Sequence, residues 1–354
     1  MSGDNDSCPI NTPLPADKAL ERAPRGPAER VVVTGASGFV GKRLCRALYE
    51  RGYKLRVLVR SSRDDRYFES LEAQIYKGDI RDPEVVDWLM DNAIGLFNLA
   101  SIVTSAALPD SDFWDVHVHA TRALLEAASR HGAKRALHCS TTGVLGNIKN
   151  HPATEDYPVN AEDIYQVTKA EGESVALGFN GNEGLEVTVA RPAMVYGPGD
   201  RRMLKLFKFI ADGSFRMIGD GETLAHPVYV DDLVEGLIAA YESPRSPGGV
   251  YIIGGEKYLT LNEWARTIAA EAGVKLEKAP VPYWPVWLAA AVCEAVCRPF
   301  GIEPPLFRRR VEFFAKNRAF SIERAKKELG YSPKVDVREG ARRTIEWYRE
   351  EGWI

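Results

Sequence analysis

Apolar positions in the first part of the chain follow two alternating periods, that of a buried strand and that of a helix. Short apolar, often β-branched runs predict strands at 30–34, 55–59, 74–77, 94–100, 135–139 and 185–190. Apolar residues at helical spacing lie between them, in a helix after Phe39, one from about Asp82, and two more at 114–131 and 163–179. This rhythm predicts parallel βαβ units with helices on both faces of the sheet, a doubly wound α/β fold.

The pattern changes after Arg191. We expect a return strand at 226–230, a helix at 231–242, a short strand at 250–253 and a mostly helical last hundred residues. The predicted organisation is therefore a first domain over 30–197, to which 226–254 returns, and a smaller, mostly helical C-terminal domain over 198–354.

The beginning of the chain lacks any such pattern. Residues 1–29 are polar and Pro-rich without an apolar core, so we expect a disordered tail and no signal peptide. Cytoplasmic residence is the default expectation for such a chain.

One apolar segment, 283–293, reads YWPVWLAAAVC. Eleven residues are too few to span a bilayer. We favour a buried helix of the smaller domain over an element that covers the substrate or makes a peripheral membrane contact near 283–298.

The charge and cysteine content exclude several classes of partner and site. A net charge of −3 over 354 residues implies no field that would attract nucleic acid or an anionic membrane. Five cysteines without framework spacing argue against a secreted disulfide scaffold. Cys293 and Cys297 share one helical face, where two ligands make a poor zinc site, so we expect buried thiols and predict no metal site.

A glycine-rich stretch, Thr34-Gly-Ala-Ser-Gly-Phe-Val-Gly41, joins the first strand to the first helix. Glycine tolerates the sharp turn and lets a pyrophosphate approach the free amides at the helix N-terminus. The context therefore predicts a dinucleotide site. Its candidate residues are Gly35, Ser37, Gly38, Phe39, Val40 and Gly41.

A second motif, Tyr165-Gln-Val-Thr-Lys169, lies in the helix predicted at 163–179. A spacing of four places Tyr165 and Lys169 on one face. A tyrosine has a pKa of about 10, and a nearby ammonium and cationic nicotinamide would bring its phenolate within reach of neutral pH. It could then exchange a proton with an alcohol or ketone.

Gly-x-x-Gly-x-x-Gly followed by Tyr-x-x-x-Lys resembles the extended short-chain dehydrogenase/reductase family, within the NAD(P)-dependent epimerase/dehydratase superfamily. The resemblance runs from Arg30 over nearly the whole chain and is closest in look to the dihydroflavonol reductase and 3β-hydroxysteroid dehydrogenase branch. It implies a Rossmann domain and a substrate-binding C-terminal domain. It also implies a hydroxyl at the end of the fifth strand that hydrogen-bonds the substrate oxygen, matching Thr141, with Ser140 as the neighbouring candidate.

The resemblance bears on the cofactor as well. NAD enzymes usually carry an acid at the end of the second strand, but Val59 stands there. Arg60, with Arg63, is suited to a 2′-phosphate, so NADP is favoured and NAD remains the alternative. The other positions that the resemblance assigns to the cofactor are Asp79, Ile80, Ala100, Lys169 and Pro192.

Two positions depart from the family pattern. Asn98 stands where the family often has His, and His117 stands where an Asn braces the active-site backbone. Hydrogen bonding can survive these changes, but they put the family's proton relay in doubt.

Three functions fit these residues. The favoured one is an NADP(H)-dependent oxidoreductase acting on a ketone or secondary alcohol of a moderately lipophilic small molecule. The alternative is a nucleotide-sugar epimerase or dehydratase that retains its cofactor. A non-catalytic cofactor sensor is less favoured because Tyr165 and Lys169 are present. Three features favour the reductase: Arg60, the apolar aromatic residues Trp284 and Trp287, and the pair Ala225-His226. Many sugar-nucleotide enzymes of the family carry an arginine that grips the diphosphate where this pair stands. The resemblance also implies a homodimer formed through the helices at 114–131 and 163–179.

Overall fold

The computed structural model describes residues 29–102, 108–297, 300 and 304–354. The tail predicted at 1–29 lies outside the described residues except for Glu29. Within the described part, seven parallel strands form one sheet in the order β10-β6-β5-β4-β1-β2-β3. This is the doubly wound Rossmann arrangement, as predicted.

The strands have the following bounds: β1 Arg30–Thr34, β2 Lys54–Val59, β3 Gln74–Lys77, β4 Gly95–Asn98, β5 Arg135–Cys139, β6 Glu186–Pro192, β7 Met194–Tyr196, β8 Leu224–Ala225, β9 Pro227–Tyr229, β10 Val250–Ile253 and β11 Leu259–Thr260. The α-helices have these bounds: α1 Phe39–Glu50, α2 Asp65–Ser70, α3 Pro83–Met90, α4 Asp110–Trp114, α5 Ala120–Arg130, α6 Ile164–Gly178, α7 Leu204–Ala211, α8 Val230–Glu242, α9 Leu261–Ala272, α10 Tyr283–Cys297, α11 Arg308–Glu312, α12 Glu323–Leu329 and α13 Val337–Glu350.

Two apolar layers cover the sheet, because successive side chains of a strand point to opposite faces. Val31 and Val33 of β1 pack into the layer that contains α1 and α8. Val32 packs into the other layer, with α3, α5 and α6. Helices therefore cover both faces, as the strand-helix rhythm predicts.

A third apolar cluster lies beyond the sheet. It joins α7, α9 and α13 around the buried rings of Tyr196, Trp264 and Tyr348. This cluster is the core of the C-terminal part of the chain.

Several predicted bounds need correction. The run at 94–100 is a strand only from Gly95 to Asn98, whereas β6 extends past residue 190 to Pro192. The helix predicted at 114–131 begins at Asp110 and passes through a π-helical turn, Asp115–His119, before α5. The return strand predicted at 226–230 is β9, which pairs with β7 in a separate two-stranded sheet, so only β10 rejoins the large sheet.

The buried helix predicted at 283–293 is wrong. The segment is helical, as α10, but Ala290 is its one buried residue among those described. Trp284 is 68% exposed, and Leu288, Val292 and Val296 follow it at intervals of four on the open face. The thiols of Cys293 and Cys297 are accordingly half-buried and not buried. No helix among the described residues is long and apolar enough to cross a membrane.

Candidate functional site

The predicted site residues converge on the edge of the sheet where its parallel strands end. Thr34, Asn98, Cys139 and Pro192 close β1, β4, β5 and β6 there. Strand order reverses between β1 and β4, and open α/β sheets bind ligands in the crevice outside such a switch point. The geometry thus places a crevice where the glycine motif predicts a dinucleotide.

The glycine loop is packed so tightly that side chains would fill it. A Cβ on Gly35, whose φ is +66°, would lie 2.6 Å from the carbonyl oxygen of Leu99, and one on Gly41 would lie 2.2 Å from that of Gly35. Gly38 is the N-cap of α1, with no side-chain cap and no acid in the first turn. The first-turn amides are therefore available to an anion, which fits a pyrophosphate. Ser37 is exposed beside them, and Phe39 and Val40 are half-buried.

Asn98 holds the two strands of the switch point together. The Thr34 hydroxyl donates to Asn98 Oδ1 at 2.7 Å and accepts from the Ala100 amide at 3.2 Å. Asn98 Nδ2 donates to Thr121 Oγ1 at 3.1 Å. Through Thr34, Asn98 therefore helps to fix the backbone at Ala100, one of the predicted cofactor positions.

The predicted adenine end lies beyond β2 and β3. Val59 is buried where an NAD-selective acid would stand, and Arg60 and Arg63 are exposed after it. The Arg81 side chain donates two hydrogen bonds to Asp79. These bonds lower the pKa of the Asp79 carboxyl below its usual value, and the amide and charge of Arg81 and the charge of Arg60 act in the same direction.

Ile80 is buried next to Asp79, in the layer that contains α3. A carboxylate held ionised beside an apolar side chain suits the edge and the face of an adenine ring. Their role at an adenine ring stays a prediction.

Tyr165 and Lys169 lie one turn apart on α6, whose N-cap is the Asp163 side chain. Lys169 Nζ donates to the Cys139 carbonyl at the end of β5, at 2.5 Å. Thr141 Oγ1 accepts from the Gly143 amide at 3.1 Å, and the Thr141 side chain also acts on the Tyr165 phenol. The structure therefore brings the three predicted catalytic residues together.

Burial, however, outweighs the nearby cations at the phenol. It raises the pKa of Tyr165 above its ordinary value, while the charges of Arg309 and Arg202 and the hydrogen bond with Thr141 act in the opposite direction. Burial also lowers the pKa of Lys169, whose ammonium donates to Cys139. Without a bound cofactor, the Tyr165 pKa is therefore not lowered by Lys169 as the sequence led us to expect.

His117, in the π-helical turn, stands where the family pattern has an asparagine, and both of its ring nitrogens make contacts. The Ile102 amide donates to His117 Nε2 at 3.1 Å, which leaves the proton on Nδ1, 2.8 Å from Thr168 Oγ1. Thr168 in turn donates to the Ile164 carbonyl at 2.7 Å. Burial lowers the pKa of His117 to about 3, so the ring is neutral. It ties the chain after β4 to α6 next to Tyr165.

Sequence reasoning missed two charged contacts of α6. Arg191 and Glu173 form a buried ion pair that holds α6 against β6. The guanidinium of Arg309, on α11, lies over the Tyr165 ring with its carbon 5.0 Å from the ring centroid. Three arginines follow one another at Arg308–Arg310, and nothing in the sequence distinguishes the one that faces the site.

Comparison with known proteins agrees with this geometry. The model of the NAD dependent epimerase/dehydratase family matches residues 31–254. A farnesyl-dihydroquinoline-oxide ketoreductase of Stigmatella aurantiaca is 30% identical over 88% of this chain and 94% of its own. A 3-beta-hydroxysteroid dehydrogenase of Mycolicibacterium neoaurum is 28% identical over 91% and 92% of the two chains.

A solved structure is also similar. That of UDP-glucose 4-epimerase from Thermotoga maritima superposes with a TM-score of 0.73 at 26% identity, covering 91% of this chain and 99% of the other. The family match covers more than half of the chain, and it includes both motifs on which the resemblance rests. This chain therefore belongs to the NAD-dependent epimerase/dehydratase family, the extended short-chain dehydrogenase/reductases, and is an NAD(P)-dependent enzyme.

Proposed function

We propose that the protein is an NADP(H)-dependent oxidoreductase acting on a ketone or secondary alcohol of a moderately lipophilic small molecule. The observation that carries this proposal is the meeting of Tyr165, Lys169 and Thr141 at the sheet edge beside the glycine loop. A proton-transfer group next to a dinucleotide crevice is suited to carbonyl reduction or alcohol oxidation.

Each residue has a distinct task in the proposed reaction. The glycine loop and the first-turn amides of α1 would hold a nicotinamide dinucleotide, which would supply the hydride chemistry at the reacting carbon. In oxidation, Tyr165 Oη takes the hydroxyl proton as the carbon–oxygen double bond forms; in reduction it returns that proton to the oxygen. Thr141, whose side chain acts on the Tyr165 phenol, orients the same oxygen. The Lys169 ammonium stabilises the phenolate that forms.

Replacement of the tyrosine tests this mechanism. Tyr165→Phe keeps the ring and removes the proton donor, so turnover should fall by at least about 100-fold, while cofactor binding stays within about twofold. Steady-state rates and fluorescence titration of NADPH measure the two effects. Undiminished turnover in this variant would rule out the mechanism.

The preference for NADP rests on the end of β2. Val59 offers no acceptor to a ribose 2′-hydroxyl, and the nearby acids are engaged: Asp64 pairs with Lys42 at 2.7 Å and Asp65 with Lys77 at 2.7 Å. Exposed Arg60 is left to meet a 2′-phosphate.

The alternative, a nucleotide-sugar epimerase or dehydratase, draws support from the similarity to UDP-glucose 4-epimerase. One observation is against it: Ala225 and His226 stand where many sugar-nucleotide enzymes carry the arginine that grips the diphosphate. His226 is buried and hydrogen-bonded to the Gly255 carbonyl. Calorimetric titration with UDP decides between the two. We expect no saturable binding; tight binding would favour the epimerase.

The assembly and location follow from the same proposal. We propose a cytoplasmic homodimer that pairs through the faces of α5 and α6, where Val167 is an exposed apolar residue. We further propose that residues 198–354, apart from the stretch 226–254, bind the substrate. Light scattering after size exclusion tests the dimer, and a monomer at micromolar concentration would contradict it.

A further inference from the structure

We propose that Arg309 binds a carboxylate on the substrate, one or two carbons from the reacting carbon, so that the enzyme prefers 3-hydroxy or 3-oxo acids. This inference rests on the proposed function and specifies its substrate class.

The first argument is the position of Arg309. Its guanidinium carbon is 5.0 Å from the centroid of the Tyr165 ring, and its Nε is 3.2 Å from Asp163 Oδ2. The other oxygen, Asp163 Oδ1, accepts from the Gln166 amide at 2.9 Å. One carboxylate therefore fixes both the start of the helix that carries Tyr165 and the arginine over its ring.

The second argument is what remains free on that arginine. A guanidinium offers donors along a planar fork, and a carboxylate binds it through two parallel bonds. Asp163 engages Nε, whereas neither Nη atom of Arg309 makes a hydrogen bond to any residue in the described ranges. The side chain is 36% exposed, so a ligand can reach this edge.

The neighbouring cations already have partners, including Arg318, which donates to the carbonyls of Phe313 and Lys316. Arg308 pairs with Glu294, Arg310 stacks on Phe307, and Lys316 pairs with Glu162 and Glu312. Arg202, the other arginine whose charge acts on Tyr165, pairs with Asp200. Arg309 thus keeps an open donor edge beside the Tyr165 ring.

Distance selects the kind of anion. Because the guanidinium carbon is 5.0 Å from the centroid of the proton donor's ring, it is within reach of an anion a few bonds from the carbon whose oxygen Tyr165 protonates. A 3-hydroxy acid meets this condition. The diphosphate of a nucleotide sugar, attached across the sugar ring from a reacting C4, does not.

A matched pair of substrates tests the assignment. 3-Hydroxydecanoate and its methyl ester share the reacting carbinol and differ in the charge. The wild-type enzyme should oxidise the acid with a kcat/KM about 10- to 100-fold above that of the ester, as expected for a charge-assisted bond. Arg309→Gln should bring the ratio of kcat/KM for acid and ester close to 1, and because its charge also acts on Tyr165, the ratio and not the rate with the ester alone is the diagnostic quantity. Arg309→Lys should recover part of the advantage of the acid, as a point charge without the fork.

Arg310→Gln is the control, because it removes a neighbouring arginine that faces Phe307. It should leave both substrates unchanged. Equal kcat/KM values for acid and ester in the wild type would overturn the proposal. So would an Arg309→Gln variant in which kcat/KM falls equally for both substrates, because Arg309 would then only support α6. Oxidation of the ester without preference for the acid keeps the proposed function; oxidation of neither with NADP⁺ or NAD⁺ counts against the function itself.

Discussion

Two apolar runs of this chain, in strand β4 and in helix α10, fold into opposite environments. Leu96 and Phe97 of β4 are fully buried between the two helical layers of the sheet. Trp284 and Leu288 of α10 are mostly exposed, although their segment is just as apolar. Apolar composition predicts burial for both runs. The prediction holds in β4, because neighbouring strands and helices cover it, whereas around α10 the described residues provide no such cover.

The largest expected effect is therefore in the sheet. Phe97→Ala removes a ring that packs 4.4 Å from that of Tyr241, and the cavity should lower the free energy of unfolding by about 3–5 kcal/mol. Urea denaturation measures this loss. Phe97→Leu, which keeps most of the volume, should cost clearly less, and equal losses in the two variants would show that burial alone does not explain the contribution of Phe97.

The part of the chain built on the large sheet, here called the sheet half, also contains Arg60, on which the proposed preference for NADP rests. Arg60→Ala should weaken NADPH binding about 10- to 100-fold, the range of a charge-assisted bond, and change NADH binding by less than about twofold. Fluorescence titration measures both dissociation constants. Arg66→Ala, an exposed arginine of α2, is the control. Equal affinities for the two cofactors in the wild type would exclude the assigned role of Arg60.

Much of this half could be predicted from the sequence. Strands β1, β3, β5 and β10 have the predicted bounds, because short buried strands with turn residues around them leave little choice. The spacing of Tyr165 and Lys169 predicted that they share a helical face, whereas the addition of Thr141 followed from a resemblance. Neither source identified the Arg191–Glu173 pair or the place of Arg309, because such contacts join elements far apart in the chain and depend on their packing.

α10 shows the converse limit. A run of apolar residues predicts a helix and also a cover for it, and the two are separate properties. Helix formation depends on local backbone preferences, whereas burial depends on which surfaces the rest of the chain brings near. The sequence thus predicted the helix correctly and its environment wrongly.

His117 offers a test of the sheet half that depends on pH. Its folded pKa of about 3 is below the unfolded value of about 6.5, so the unfolded chain binds more protons in acid and stability falls as the pH drops below about 6.5. Between pH 7.5 and 5.0 the wild type should lose about 2 kcal/mol more than His117→Asn.

Urea denaturation at both pH values gives the difference. The other buried histidines, His138 and His226, are present in both proteins, so their contribution cancels. Exposed His119→Asn should behave like the wild type. An identical pH dependence in His117→Asn would mean that His117 is protonated equally in the folded and unfolded chain.

The smallest effect is expected on α10, and it sharpens the comparison most. Leu288 is 50% exposed on the open face of the helix, so Leu288→Ser should change the free energy of unfolding by less than about 0.5 kcal/mol. Ala290→Ser, at the buried position of the same helix, is the matched variant and should cost more. Urea denaturation at two protein concentrations separates the explanations. A loss at Leu288 above about 2 kcal/mol that grows with protein concentration would show that a second copy of the chain covers this face, and the two apolar runs would then differ only in which chain buries them.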